Sequence, residues 1–150
     1  MVFRSVTDKA PPTKQLVFHN IHLASDDERR GIIYNDGIPD RLMLSIPDQA
    51  ENCLIVDVNP IMVVGRKRSM RDYDVSIDLT DFHGAEYGVS RYHVMLLALD
   101  NHIIIKDIDS LNGTKINGKQ LEALKEYVID DEDILEFGEL SLKLTFLYNK

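Results

Sequence analysis

Short apolar segments, each closed by a turn signal, follow one another from residue 41 to residue 148. That rhythm restricts the fold more than any other feature of the chain. Segments 42–46 and 53–58 are divided by Pro47-Asp48, and 61–64 follows Asn59-Pro60. Residues 75–79 alternate as V-S-I-D-L, with one face apolar. Shorter pieces recur at 114–116, 120–121, 128–129 and 134–137. The last segment, 140–147, reads L-S-L-K-L-T-F-L, so Leu140, Leu142, Leu144 and Phe146 share one face of a strand. Gly138-Glu139 is the expected tight turn before it. There is no long amphipathic helix and no internal repeat. Ten or eleven short strands in this order predict an all-β sandwich.

Residues 88–118 are the most informative part of that series. Two aliphatic runs, 94–99 and 103–105, flank Asp100-Asn101, a dipeptide that tolerates a two-residue reversal. The expectation is an antiparallel hairpin. Its outer ends carry Ser90-Arg91-Tyr92-His93 on one side and Ser110-Leu111-Asn112-Gly113-Thr114 on the other. A hairpin brings those ends together, so Ser90 and Arg91 should lie beside Asn112 and Gly113. A hydroxyl, a permanent cation and an amide on adjoining loops suit an anion held next to extended backbone. Gly113 and Gly118 supply the positive φ that sharp bends require. Nothing evident activates Ser90 as a nucleophile, so the surface reads as a binding site. Gly65-Arg66 ends another apolar run, and Arg66 opens the one dense basic cluster, Arg66-Lys67-Arg68 with Arg71. Arg66 should therefore emerge at a sheet edge in the same way as the Ser90 loop.

Composition narrows the alternatives. At 150 residues, with 44% hydrophobic and 28% charged positions, the chain is an ordinary globular protein. A net charge of −8 weighs against duplex nucleic acid or an anionic membrane as the main partner. The single cysteine, Cys53, allows no internal disulfide and fits a reducing, cytoplasmic compartment. Within the run 53–58 it is expected to be a reduced core thiol. No apolar run approaches the ~18 residues of a membrane span, and the N-terminus lacks a signal-peptide core. His19 and His22 have no partner at a recognised ligand spacing, so no metal is expected there. Residues 130–133, Asp-Asp-Glu-Asp, lack the spaced ligands and glycine of a calcium loop and read as a solvated turn. No cofactor is implied.

Residues 1–40 differ from the rest and form an N-terminal extension. Residues 1–14, with Pro11-Pro12, read as a flexible tail. Residues 15–23 suit an extended segment, 26–30 a single helical turn, and 31–34 a short apolar piece.

In order, Gly65-Arg66, Ser90-Arg91-Tyr92-His93, Asn112-Gly113-Thr114 and Asn117-Gly118 resemble the forkhead-associated (FHA) domain family, over residues 41–148. Residues 78–88 look like the form common in bacterial signalling proteins. The resemblance implies an eleven-stranded β-sandwich whose loops at one end bind phosphothreonine in an extended peptide. By this resemblance Arg66 and Ser90 match the phosphate contacts, and Arg91 matches the position beside them. Asn112 matches the asparagine that bonds peptide backbone. Gly65, His93, Gly113, Thr114, Asn117 and Gly118 match positions that hold the loops in shape. The turn at Gly138 lies where the residue three after the phosphothreonine is selected. The implied partner is a protein phosphorylated by a Ser/Thr kinase. Leu111 departs from the pattern, since the family usually has serine or threonine before the asparagine. Its side chain cannot donate to phosphate, although its backbone N–H could.

Two other functions compete with this one. An FHA-like scaffold could bind its partner without phosphate, a reading that Leu111 favours. A hydrolase would need Ser90 as nucleophile and His93 as base, but no third orienting group is evident. Thr7 and Thr13 add a possible regulatory role, since a phosphorylated tail could compete for the site, although an inert tail is the plainer reading.

Overall fold

The computed structural model describes residues 22–23 and 37–149, and among these every regular element except one 3-10 turn is a strand. A two-residue strand, β1 (His22–Leu23), comes first. Eleven more follow: β2 (Arg41–Ile46), β3 (Gln49–Asp57), β4 (Ile61–Gly65), β5 (Ile77–Asp78), β6 (Tyr92–Leu99), β7 (His102–Asp107), β8 (Thr114–Ile116), β9 (Lys119–Gln120), β10 (Glu126–Ile129), β11 (Ile134–Phe137) and β12 (Leu140–Leu147). The 3-10 turn spans Thr80–Phe82. The expected eleven-stranded sandwich is therefore present, with β1 added to it. The other readings for residues 1–34, including the tail and its threonines, lie outside the described residues.

Two six-stranded sheets face each other, in the orders β1-β10-β7-β6-β4-β5 and β3-β2-β12-β11-β8-β9. Pairing is antiparallel except at β1–β10 and β4–β5. Alternation determines the inner face of each sheet. Leu140, Leu142, Leu144 and Phe146 of β12 are all buried, and they meet Val64, Leu96, Ile103 and Ile105 of the other sheet in one apolar core. Residues 75–79 give only a two-residue strand, yet their alternation holds: Val75, Ile77 and Leu79 are buried and Ser76 is exposed.

The central hairpin forms in the expected register, with Leu99 opposite His102. Asp100 and Asn101 both take positive φ, 52° and 63°, the mirror-image turn that matches strand twist. The same geometry recurs at Asn117 and Gly118 between β8 and β9, with φ of 52° and 84°.

Two expectations are corrected. Cys53 is exposed. Because β3 is an edge strand, it buries only one face: Leu54 and Val56 turn inward, while Cys53 and Ile55 face out. Residues 130–133 are not simply a solvated turn, since Asp130 and Asp133 are buried. Asp133 accepts the backbone N–H of Asp130 at 2.7 Å and the Asn117 amide at 2.9 Å. Asp131 accepts the N–H of Phe146 at 2.8 Å. These carboxylates take up backbone donors that the bend leaves without a strand partner.

Candidate functional site

At one end of the sandwich, the segment before β6 and the loop after β7 lie side by side. The N–H of Leu111 donates to Ser90 Oγ at 3.0 Å, and the Asn112 side-chain amide donates to the Gly88 carbonyl at 3.0 Å. A third loop joins them where β4 ends. The N–H of Arg66 bonds the Arg91 carbonyl at 3.1 Å, and its guanidinium Nε donates to the Val89 carbonyl. Gly65 permits this approach, because a Cβ there would sit 1.9 Å from the Arg91 carbonyl oxygen. The register between β4 and β6 shifts at the same point. Gly84 has a related role, with a Cβ there 3.3 Å from Arg66 Cγ.

Arg66, Ser90, Arg91, Leu111 and Asn112 thus line one open cleft of about 360 Å³, together with Ala85, Gly88 and Val89. What remains uncommitted around it can be counted group by group. Arg66 uses Nε on Val89 and retains its terminal fork of N–H donors, with no ion pair among the described residues. Ser90 Oγ accepts from Leu111 and keeps its own proton to donate. Asn112 keeps one N–H and its amide oxygen. The Arg91 guanidinium lies 5.8 Å from the Tyr92 ring centroid. The Leu111 side chain is 88% exposed, and its N–H is already given to Ser90 rather than free.

His93 stands behind the cleft, fully buried, at the junction of both loops. Its Nδ1 accepts the N–H of Ser90 at 2.9 Å, so the ring proton must be on Nε2, which donates to the Gly113 carbonyl at 2.9 Å. The Phe137 ring packs edge-on to it at 5.6 Å. Burial lowers the pKa of this imidazole, against the opposing effects of the Gly113 carbonyl and the Asp107 charge. With both nitrogens bonded to backbone, neither can take a proton from Ser90 Oγ, and the nucleophile–base pairing weighed in the sequence does not form.

The sequence reading missed Asp107, which organises the Asn112 loop. It is 3% exposed, and its carboxylate accepts the Ser110 N–H at 2.8 Å, the Ser110 hydroxyl at 2.6 Å and the Thr114 hydroxyl at 2.5 Å. Burial opposes its charge, but these hydrogen bonds outweigh that and hold the pKa below the usual carboxylate value. Asp107 and Ser110 stand three apart at a strand end, which was the available signal. Gly113 turns with φ of 85°, and its carbonyl also accepts the Gly138 N–H at 2.9 Å. The β11–β12 turn is fastened further by Glu139, whose N–H bonds the Tyr87 carbonyl at 2.8 Å. Asn117 and Gly118 lie away from the cleft. Asn117 ties the β8–β9 hairpin to Asp133 and to the N–H of Ile134.

A larger cleft, about 520 Å³, lies between β3 and the Thr80–Phe82 turn. Glu51, Asp78 and Asp81 line it, with no lysine or arginine, so its charge is wrong for an anion. No group of side chains able to hold a metal ion occurs among the described residues, and no helix among them is long and apolar enough to cross a membrane.

The sequence model of the FHA domain matches residues 62–138, just over half of the chain. The chain belongs to the FHA domain family. No curated protein matches it in sequence. Several solved structures share its fold. One, from a structural and functional study of phosphothreonine-dependent FHA domain interactions, is 21% identical with a TM-score of 0.53, covering 71% of this chain and 96% of its own. The FHA domain of the CT664 protein from Chlamydia trachomatis is 20% identical with a TM-score of 0.53, over 70% of this chain and 96% of its own. The MEK1 FHA domain in complex with a HOP1 phosphothreonine peptide is 23% identical with a TM-score of 0.50, over 73% and 97%.

Proposed function

We propose that this chain is a phosphothreonine-peptide-binding module, with residues 41–148 as the FHA domain and residues 1–40 as an extension to it. The observation that carries the reading is the set of uncommitted donors around one cleft: the Arg66 fork, the Ser90 hydroxyl, Arg91 and the Asn112 amide. A phosphothreonine brings close to two negative charges and three acceptor oxygens. Arginine meets that group with paired, charge-assisted bonds that a lysine cannot reproduce. Arg66 and Ser90 take the phosphate and Arg91 supports them. Asn112 bonds the peptide backbone through the donor and acceptor that Gly88 leaves free. Gly65, His93, Gly113 and Thr114 keep the loops at the spacing this requires. Asn117 and Gly118 hold the β8–β9 hairpin in shape, away from the cleft.

The partner is a protein phosphorylated by a Ser/Thr kinase, and the module meets it in the cytoplasm, where ATP-dependent kinases act. FHA domains bind their ligands without transforming them, and this chain has the same role. One observation favours a second reading, a scaffold that ignores phosphate: Leu111 presents an exposed apolar side chain to the cleft instead of a hydroxyl.

A degenerate peptide library synthesised with phosphothreonine at its centre, and again with threonine, distinguishes the two readings. Retention of the phosphorylated set alone is the expected result. Equal retention of both sets would favour the scaffold.

A further inference from the structure

The loop that begins with Arg66 continues as Lys67-Arg68-Ser69-Met70-Arg71-Asp72-Tyr73-Asp74. In a chain with 25 acidic and 17 basic residues, four of the basic ones fall within these first six positions. Neighbouring carboxylates offset that charge only in part, with Lys67 and Asp78 attracting each other. Asp72 accepts the backbone N–H of Arg68 at 2.7 Å, and Asp78 accepts that of Lys67 at 3.1 Å as well as the Thr80 hydroxyl. The acids thus hold the loop in shape, while the guanidiniums of Arg68 and Arg71 stay exposed, with no ion pair among the described residues. Asp74 is the one further acid in the loop, and it too is exposed.

The other side of the cleft has the opposite character. Gly88 and Asn112 also border a neighbouring depression of about 460 Å³ lined by Glu86 and Glu139. Lys115 is its one cation, and that residue stands directly across from Glu136 in the β8–β11 pair. The cleft therefore lies between a basic loop and an acidic depression.

We propose that this polarised face reads the charge of the residues flanking the phosphothreonine, with Arg68 and Arg71 taking Asp or Glu side chains on the flank that crosses residues 66–74. The inference rests on the phosphothreonine reading above and extends it to the class of peptide selected. Arg68 is two residues from Arg66, so their Cα atoms are within about 7 Å of each other. An exposed arginine there reaches the first few residues on that side of the bound threonine. Arg68 and Arg71 are both exposed, and one guanidinium can pair bidentately with one carboxylate. Tyr73 and Met70, 83% and 88% exposed, give the same loop apolar surface for the stems of those residues.

Two phosphothreonine peptides of identical composition test this, one with aspartates before the phosphothreonine and lysines after it, the other with that order reversed. Their net charges are equal, so general attraction to the protein cancels. At low ionic strength the protein should prefer one order by about fivefold, the effect of two exposed ion pairs. The charge-reversal variant Arg68→Glu with Arg71→Glu should prefer the other order. Equal affinities in the wild type, or an unchanged preference in the double variant, overturn the inference while phosphate dependence remains. If the unphosphorylated versions bind as tightly as the phosphorylated ones, the phosphothreonine reading fails and this inference fails with it.

Discussion

At the scale of single residues, Leu111 and His93 affect the site in opposite ways. Leu111 faces solvent beside Arg66 and Ser90, so replacing it changes the ligand's surroundings and little else. Leu111→Thr should add a hydroxyl donor to a charged acceptor, contributing about 1.5 kcal/mol, or roughly tenfold tighter binding. Titration of paired peptides should show the gain with phosphothreonine alone and an unchanged melting temperature. Unchanged phosphopeptide affinity would mean that residue 111 does not face the phosphate. His93 is a buried joint, and its effect appears as stability. Burial holds its folded pKa below the ordinary 6.5, so folding favours the neutral ring. Its contribution is complete above about pH 6.5 and falls as the pH drops toward the depressed folded value, where the unfolded chain binds the extra proton. Protonation would also set an Nδ1–H against the Ser90 N–H. Thermal melts should therefore show the wild type losing stability between pH 7 and pH 5. His93→Ala should be less stable at pH 7, by roughly 1–3 kcal/mol, and should show a flatter slope. Some slope will remain, because burial also lowers the pKa of His102.

At the scale of elements, the loop between β7 and β8 depends on one carboxylate. Asp107 holds the Ser110 N–H, the Ser110 hydroxyl and the Thr114 hydroxyl inside the sandwich, and with them the bend that presents Asn112. Asp107→Ala leaves those donors without their acceptor. The expected loss is about 3 kcal/mol of stability, given that hydrogen bonds to charged groups contribute ~1.5–3 kcal/mol each and the loop relaxes in part. Chemical denaturation measures it, and phosphopeptide affinity should fall as well, since Asn112 is no longer held in position. A variant with wild-type stability would show that the loop is held by its β8 and β11 contacts instead. This carboxylate ionises below the ordinary Asp value. Its contribution persists above pH 3.8 and disappears as the pH falls through its lower folded pKa.

At the scale of the whole molecule, the sandwich brings separated stretches of an acidic chain to one end, where Arg66 and Arg91 meet around one cleft. Most of that arrangement was legible in the sequence. The alternation in 140–147 fixed the inner face of β12, and Asp100-Asn101 fixed the register that brings Ser90 beside Leu111. Three features were not legible, each for a physical reason. Cys53 looked like core because an edge strand with Ile55 on its outer face hides its own alternation. Residues 130–133 looked solvated because nothing local shows that Asn117 and Phe146, distant in sequence, supply their donors. Asp107 passed as a loop acid because its burial depends on the packing of both sheets.

In the proposed site Arg66, with Ser90 and Arg91, distinguishes phosphate from hydroxyl. Calorimetric titration of one threonine peptide, phosphorylated and unphosphorylated, into the wild type and Arg66→Ala tests it most directly. The phosphorylated peptide should bind the wild type with a Kd in the micromolar range, and the unphosphorylated one far more weakly. Arg66→Ala should lose roughly 2–3 kcal/mol, about 30–150-fold, for the phosphorylated peptide alone. Equal phosphopeptide affinity in the wild type and Arg66→Ala would rule out Arg66 as the phosphate contact.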